Sequence, residues 1–289
     1  MPSLSDIGVI RDLLARNNFS FSKSLGQNFL INPSVCPRMA ESAASDQQKG
    51  VIEIGPGIGI LTAELAHCFE KVIAYEVDQR LRPILDETVG CFPNVTILFK
   101  DVLTADLHSV IQEEFGCSRV SVCANLPYYI TSPILMFLLE SHFPLQSITV
   151  MVQKEAADRI CAEVGSRQAG ALTAAIHYYT VPEKLFSVSR GSFMPAPNVD
   201  STVIRLRLRD EPPVEIPDEK QYFDLIRSSF SQRRKTAANS ISAGLHLPKE
   251  CVTQTIRDLG FSENVRAENF TLQDFADISR LLQKPSQQK

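Results

Sequence analysis

The tetrapeptide Asn125-Leu126-Pro127-Tyr128 brings together a side-chain amide, a proline-stiffened turn and an aromatic ring. Such a set suits chemistry on an aromatic amine. Adenine's exocyclic nitrogen is a poor nucleophile because its lone pair is delocalised into the ring. An amide oxygen (Asn125) and a main-chain carbonyl (Leu126) that accept its two N–H bonds would turn the lone pair toward an electrophilic methyl group. A ring such as that of Tyr128, stacked on the base, would hold the purine still. The same four residues also suit a plain turn with a core tyrosine, and the tetrapeptide by itself does not separate the two readings.

A second set of residues suits a nucleoside-bearing ligand. In Val51-Ile52-Glu53-Ile54-Gly55-Pro56-Gly57-Ile58-Gly59, three glycines fall on the turn between an apolar strand and a helix. Glycine there adopts positive φ and lets the backbone approach a ligand that a side chain would obstruct. The spacing is wrong for a dinucleotide fingerprint, since Ile60 stands at the last required glycine and Pro56 follows the first. Alone, the turn reads equally as structural. Glu76 ends the next apolar run, where a carboxylate accepts hydrogen bonds from vicinal ribose hydroxyls, and Asp101 follows the third run, where it suits an adenine amino group. Three polar groups at the carboxyl ends of three successive strands fit a switch-point crevice. Glu53 lies within the first strand among apolar neighbours, which predicts a supporting role, its carboxylate taking a nearby backbone donor of the glycine turn.

These groups need a sheet that ends them all at one edge. Apolar runs of strand length alternate with amphipathic helix-length segments from Val51 to Gln153, the pattern of a doubly wound α/β sheet. Strands are predicted at Val51–Ile54, Val72–Glu76, Val95–Phe99, Val120–Ala124 and Ile148–Val152, with helices at Lys154–Glu163 and Ala169–Tyr179 beyond them. Lys184–Ser189 and Thr202–Leu208 alternate as strands and are expected to form an antiparallel edge pair. The proline-rich, acidic run Arg209–Asp218 reads as a linker. After it the periodicity is helical at Glu219–Ser228, Arg234–Ala243, Pro248–Leu259 and Thr271–Leu282, the last with Thr271 as N-cap. Three parts follow: an extension over residues 1–49 with a helix at Ile7–Ala15, an α/β domain over 50–209, and a small all-α domain over 210–289. Asp78 reads as the cap of the helix after the second strand, yet Pro83 falls inside it, where proline costs ~3 kcal/mol, so the helix starts later or kinks.

Composition excludes several classes. The start of the chain lacks the cationic and apolar runs of a secretory signal, and the longest charge-free stretch, Val120–Leu139, is broken by Asn125, Pro127 and Pro133, so no membrane span is expected. Seven cysteines without a C-x-x-C pair favour reduced thiols in a cytoplasm, and the scattered histidines give no metal-ligand spacing, so no metal is expected. The net charge of −4 makes no general case for nucleic acid. Locally, no acid falls between Asp224 and Glu250, while Arg227, Arg233, Arg234, Lys235 and Lys249 do, a stretch that serves either phosphate contacts or a solvated helix face.

The motifs quoted above, in their order, resemble the KsgA (RsmA) family of small-subunit ribosomal RNA adenine N6,N6-dimethyltransferases, with the macrolide-resistance Erm methyltransferases as sister group. The resemblance adds Lys23-Ser-Leu-Gly-Gln27-Asn28-Phe-Leu30, Asp101-Val102, Val152-Gln-Lys-Glu155, Phe193-Met-Pro195-Ala-Pro197-Asn-Val-Asp200-Ser201 and Phe230-Ser-Gln-Arg-Arg-Lys235-Thr236. It implies a class I S-adenosylmethionine-dependent methyltransferase fold, Rossmann-like with a seven-stranded sheet. S-adenosylmethionine would be held by Asn28 and Leu30 from the extension, by Gly55 and Gly57, by Glu76 at the ribose, by Asp101 and Val102 at the adenine, and by Asn125 at the point of methyl transfer. Phe193 would face the target base opposite Tyr128, with Asn125 and Leu126 beside its amine. The resemblance also assigns Arg227, Arg233, Arg234 and Lys235 to RNA. One departure is Asn198, where the family usually has lysine, which removes a phosphate contact from that loop.

The implied substrate is a pair of adjacent adenosines in the 3′-terminal hairpin loop of 16S RNA, met by a monomer in a pre-30S particle in the cytoplasm. The acidic total charge points to shape recognition of that particle rather than to non-specific RNA affinity. Two alternatives stand beside this reading: an Erm-type enzyme acting on 23S RNA, against which the complete Phe-x-Pro-x-Pro loop and long helical domain speak, and a non-catalytic RNA-binding factor on the same fold, against which the intact Asn125–Tyr128 motif speaks.

Overall fold

The computed structural model describes residues 4–22, 26–44, 49–116, 118–232 and 234–282. Lys23–Leu25 of the first motif, Cys117, Arg233 and the C-terminal tail lie outside the described residues. In chain order the elements are α1 (Ile7–Arg16), β1 (Phe29–Leu30), α2 (Val35–Ala43), β2 (Gly50–Ile54), α3 (Ile60–Cys68), β3 (Lys71–Tyr75), α4 (Arg82–Thr88), β4 (Val95–Leu98), α5 (Leu107–Phe115), β5 (Val120–Asn125) and α6 (Thr131–Glu140). They continue with β6 (Leu145–Gln153), α7 (Lys154–Ile160), α8 (Ala171–Tyr179), β7 (Thr180–Val188), β8 (Phe193–Met194), β9 (Ser201–Leu208), α9 (Glu219–Phe230), α10 (Ala237–Leu245), α11 (Lys249–Asp258) and α12 (Leu272–Leu282). The chain divides into two compact units, residues 1–157 with 182–208, and residues 158–181 with 209–289.

The first unit is built on a seven-stranded sheet of order β4-β3-β2-β5-β6-β9-β7. Strands β4, β3, β2, β5 and β6 run parallel, and β9 is antiparallel to β6. The chain winds from β2 outward through β3 to β4, then returns to β5 on the other side of β2, so the topological switch point lies between β2 and β5. Every residue of β2 is buried, as a central strand covered on both faces requires. The expected edge pair is present, with β9 inside and β7 at the rim. Helix α1 buries Ile10, Leu13 and Leu14 in one cluster with Leu81, just before α4, and with Ile84 and Leu85 of α4, and its N-terminus is capped by Asp6 accepting from Gly8 N and Val9 N.

The doubt about Pro83 resolves as a later start. Asp78 Oδ1 accepts from Arg80 N and caps a single 3₁₀ turn, Gln79–Leu81; α4 then begins at Arg82, so Pro83 lies in its first turn, where its missing N–H leaves no bond unmade.

In the second unit α8 packs against α9, with Tyr178, Tyr179, Tyr222 and Phe223 in mutual ring contact, Tyr179 stacked on Phe223 at 5.2 Å. Thr271 and Asp274 cap α12 reciprocally: Asp274 N donates to Thr271 Oγ1 at 3.2 Å and Thr271 N to Asp274 Oδ2 at 2.8 Å. Helix α10 starts three residues later than its periodicity predicts, because Thr236 takes the N-cap and accepts from Asn239 N.

Candidate active site

The glycine turn after β2 adopts the backbone its composition predicts. Gly55, Gly57 and Gly59 have φ of +73°, +59° and +89°. A Cβ on Gly55 would meet nothing within 4 Å, so that glycine faces open space. A Cβ on Gly57 would come within 3.1 Å of the Phe29 ring, which marks how closely the N-terminal segment roofs the turn. The turn borders a cavity of about 1150 Å³, open part included, at the carboxyl edge of the sheet.

All eleven residues that the sequence assigns to cofactor or catalysis line this cavity: Asn28, Leu30, Gly55, Gly57, Glu76, Asp101, Val102, Asn125, Leu126, Tyr128 and Phe193. Glu76, one residue beyond β3, is buried and bridges two loops. Its Oε1 accepts from Asp78 N at 2.8 Å and its Oε2 from Gly57 N at 3.3 Å. Burial raises its pKa, and the N–H donors of Asp78, Gly57 and Val77 pull against that shift. Each carboxylate oxygen keeps a further lone pair for a ligand hydroxyl. Asp101 holds Leu103 N with Oδ1 at 2.9 Å, and this bond orients the exposed carboxylate at the cavity's edge.

Glu53 departs from its predicted role. It is 1% exposed, and neither of its oxygens has a hydrogen-bond partner, so no backbone donor of the glycine turn reaches it. The Thr62 hydroxyl on α3 is likewise buried without a hydrogen-bond partner. Burial pushes the Glu53 carboxyl up to about 8, the Thr62 hydroxyl opposes the shift, and the charge of Glu76 adds to it. Glu53 is therefore a largely neutral acid in the cavity wall at pH 7.

The Asn125 loop is fixed from both sides. Asn125 is the last residue of β5, and its Nδ2 donates to the main-chain carbonyl of Asn28 at 3.4 Å. The Leu126 side chain is buried, and Ile130 N donates to the Pro127 carbonyl at 3.1 Å to close the turn before α6. The half-buried Tyr128 shares a 2.8 Å hydrogen bond with Ser201 Oγ at the start of β9. Phe193 is buried on β8, which pairs antiparallel with β1 in the register Leu30 to Phe193. Ile31 N donates to the Ser192 carbonyl at 2.8 Å and extends the tie. Farther back, Gln27 Nε2 donates to Asp78 Oδ2 at 2.9 Å, and Asp78 pairs with Arg80 at 2.6 Å.

Several contributors escaped the sequence reading. Phe29, in ring contact with Phe19 and Phe21, forms the roof over Gly57, and the spacing of three phenylalanines within a short run was the signal for it. Gln27 and Ser201 sat in quoted motifs without a role. In the second unit Arg227 is ion-paired with Asp224 at 2.9 Å, while Arg234 and Lys235 are exposed in the turn before α10, off any helix face. Among the described residues no group of three or more His, Cys, Asp or Glu could hold a metal ion, and no helix is long and apolar enough to cross a membrane.

Comparison with known proteins gives one consistent result. Residues 18–284 match the family described as ribosomal RNA adenine dimethylase. The chain is 47% identical over 276 residues to proteins named ribosomal RNA small subunit methyltransferase A from Bacillus mycoides (strain KBAB4) and Bacillus cereus (strain B4264), covering 94% of this chain and 94% of each partner. Among solved structures it is similar to a dimethyladenosine transferase from Plasmodium falciparum, with TM-score 0.70 and 27% identity over 86% of this chain and 95% of that one. It is likewise similar to the 23S rRNA methyltransferase ErmE, with TM-score 0.66 and 27% identity over 89% and 100%.

Proposed function

The chain belongs to the ribosomal RNA adenine dimethylase family, and from that premise we infer how its cavity works on RNA. It is a small-subunit ribosomal RNA adenine N6,N6-dimethyltransferase that depends on S-adenosylmethionine. When bound, S-adenosylmethionine supplies an electrophilic methyl group on a sulfonium. The cavity fits such a group: an open glycine cradle, a two-oxygen acceptor in Glu76 and an exposed carboxylate in Asp101. Glu76 would accept the ribose hydroxyls, Asp101 and Val102 would hold the adenine edge, and Gly55, Gly57, Asn28 and Leu30 would enclose the methionine end.

The observation that carries the mechanism is the direction of the Asn125 amide. With its nitrogen given to the Asn28 carbonyl, the amide keeps its oxygen as an acceptor, on a residue that lines the cavity. That oxygen and the Leu126 carbonyl would take the target N6–H bonds, while Tyr128, anchored by Ser201, and Phe193 would sandwich the base. No strong base is required, because the nitrogen becomes acidic once it carries the new methyl and loses its proton to water. The second round needs only one N–H, and rotation about C6–N6 turns the first methyl away.

The substrate we propose within that RNA is the pair of adjacent adenosines in the 3′-terminal hairpin loop, reached by a cytoplasmic monomer in a pre-30S particle. Residues 1–49 would close over the cofactor, 50–209 carry the chemistry, and 210–289 recognise RNA through Arg227, Arg233, Arg234 and Lys235. Undermethylated small subunits incubated with the chain and methyl-labelled S-adenosylmethionine test this, with nucleosides resolved by mass spectrometry. N6,N6-dimethyladenosine in small-subunit RNA is the expected product. Label confined to large-subunit RNA would transfer the assignment to the Erm-type reaction.

A further inference from the structure

Tyr128 and Tyr129 are consecutive residues of one turn, yet their rings meet different surroundings. Tyr128 is half-buried, with its hydroxyl tied to Ser201. Tyr129 is 60% exposed, the only aromatic among the large exposed apolar side chains of the described residues. Exposure of so large a ring forgoes its burial energy, and a position on the cavity wall makes that exposure informative. The ring is also held in place. Ring carbons Cδ1 and Cε1 lie 3.5 Å from where a Cβ would stand on Gly26, and Gly26 has φ of +60°, a backbone that a side chain would strain. The Gly26 carbonyl is bonded in turn by Asn28 Nδ2 at 3.0 Å. Tyr129 thus rests on a braced strip of the N-terminal segment and leaves most of its surface to solvent at the cavity's mouth.

We propose that Tyr129 is a stacking platform for the nucleobase next to the adenosine in the cavity, a base subsite at the edge of the reaction chamber. The inference rests on the RNA substrate assigned above. A target base drawn into the cavity beside Tyr128 loses its stack on its neighbour, and Tyr129, which lines the same cavity, is the exposed ring next to that point of entry. An exposed, braced aromatic there replaces the missing stacking partner without reading sequence, since every base offers a π-face. With two adjacent adenosines as substrate, the base waiting on Tyr129 while one is modified is the other target.

The test compares Tyr129→Ala and Tyr129→Phe with the wild-type chain on undermethylated small subunits, in parallel with subunits reconstituted with an abasic nucleotide beside the target. Tyr129→Ala is expected to raise KM for subunits about tenfold, the size of one base–aromatic stack, with the effect in KM rather than kcat. Tyr129→Phe, which keeps the ring, restores the wild-type KM. On abasic subunits the alanine penalty disappears, because the ring has no base to hold. A wild-type KM for Tyr129→Ala, or an equal penalty on intact and abasic subunits, overturns the subsite. Failure of the underlying RNA assignment shows separately, as a wild-type chain that leaves subunits unmethylated.

Discussion

The side-chain nitrogen of Asn125 donates to the main-chain oxygen of Asn28 at 3.4 Å, so the amide proposed to meet the target amine is oriented by the N-terminal segment, and both residues line the cavity. Removing that amide should abolish most methyl transfer. Asn125→Ala is expected to lower the single-turnover rate about a hundredfold, equivalent to ~3 kcal/mol of acceptor interaction in the transition state. Asn125→Asp should be no better, because a carboxylate cannot donate to the Asn28 carbonyl and is repelled by it. Rapid-quench assays on undermethylated subunits measure both, and a wild-type rate in either variant would remove the amide from the mechanism.

Glu76 ties the Gly57 and Asp78 loops together and is proposed to hold the ribose, so two substitutions separate the roles. Glu76→Ala should weaken S-adenosylmethionine binding by a few kcal/mol, since each charge-assisted bond to ribose contributes roughly 1.5–3 kcal/mol. It also strands the N–H groups of Gly57 and Asp78, so its melting temperature should fall. Glu76→Gln keeps one oxygen acceptor and should melt closer to wild type than Glu76→Ala while still binding cofactor poorly. Calorimetry paired with thermal melts reads both quantities; unchanged affinity in Glu76→Ala would exclude it from the cofactor site.

The neutral acid at Glu53 predicts a pH-dependent stability of definite sign. Its pKa is raised on folding from 4.5 to about 8, so the folded chain holds a proton that the unfolded chain releases across that interval. The stability contributed by the protonated form is full below 4.5 and is lost as pH rises through 8. Glu53→Gln mimics the protonated side chain and should therefore gain melting temperature over wild type as pH rises from about 5 to about 8, with the two close at the acid end. A difference that does not vary with pH would mean that Glu53 is ionised throughout.

The exposed pair Arg234 and Lys235 should act on RNA and leave the cofactor alone. Replacing both with alanine is expected to flatten the log–log salt dependence of subunit binding by roughly 0.7–0.9 for each phosphate left without its cation. Arg227 should contribute less, because Asp224 already neutralises part of its charge. An unaltered slope in the double variant would make the pair an ordinary solvated turn.

What could be read in the sequence followed from constraints that are local. Glycine at 55, 57 and 59 announces positive φ, and the spacing from that turn to Glu76 follows from one helix and one strand of ordinary length. The partner of a buried side chain is not local. Glu53 is visible as a carboxyl in an apolar strand, but whether a donor reaches it depends on how α3 sets Thr62 against β2. The onset of α4 was ambiguous for a related reason: Asp78 caps a 3₁₀ turn as readily as an α-helix, and only the packing of Leu81 against α1 decides between them. The grouping of α8 with α9 was hidden as well, because ring contacts between Tyr178 and Tyr222 join residues that the intervening strands separate in sequence.

The short β1–β8 ribbon has a consequence for how the protein comes into being. It joins segments whose side chains meet across 160 residues of chain, as in the bond from Asn32 Nδ2 to Ser192 Oγ. Contacts of such sequence separation form only after the intervening chain has given up most of its freedom. The glycine turn, Glu76 and Asn125 leave the ribosome long before Phe193 does. A nascent chain halted between them holds β1 without its β8 partner, so the cavity wall at Phe193 is completed only when about two thirds of the chain has been made.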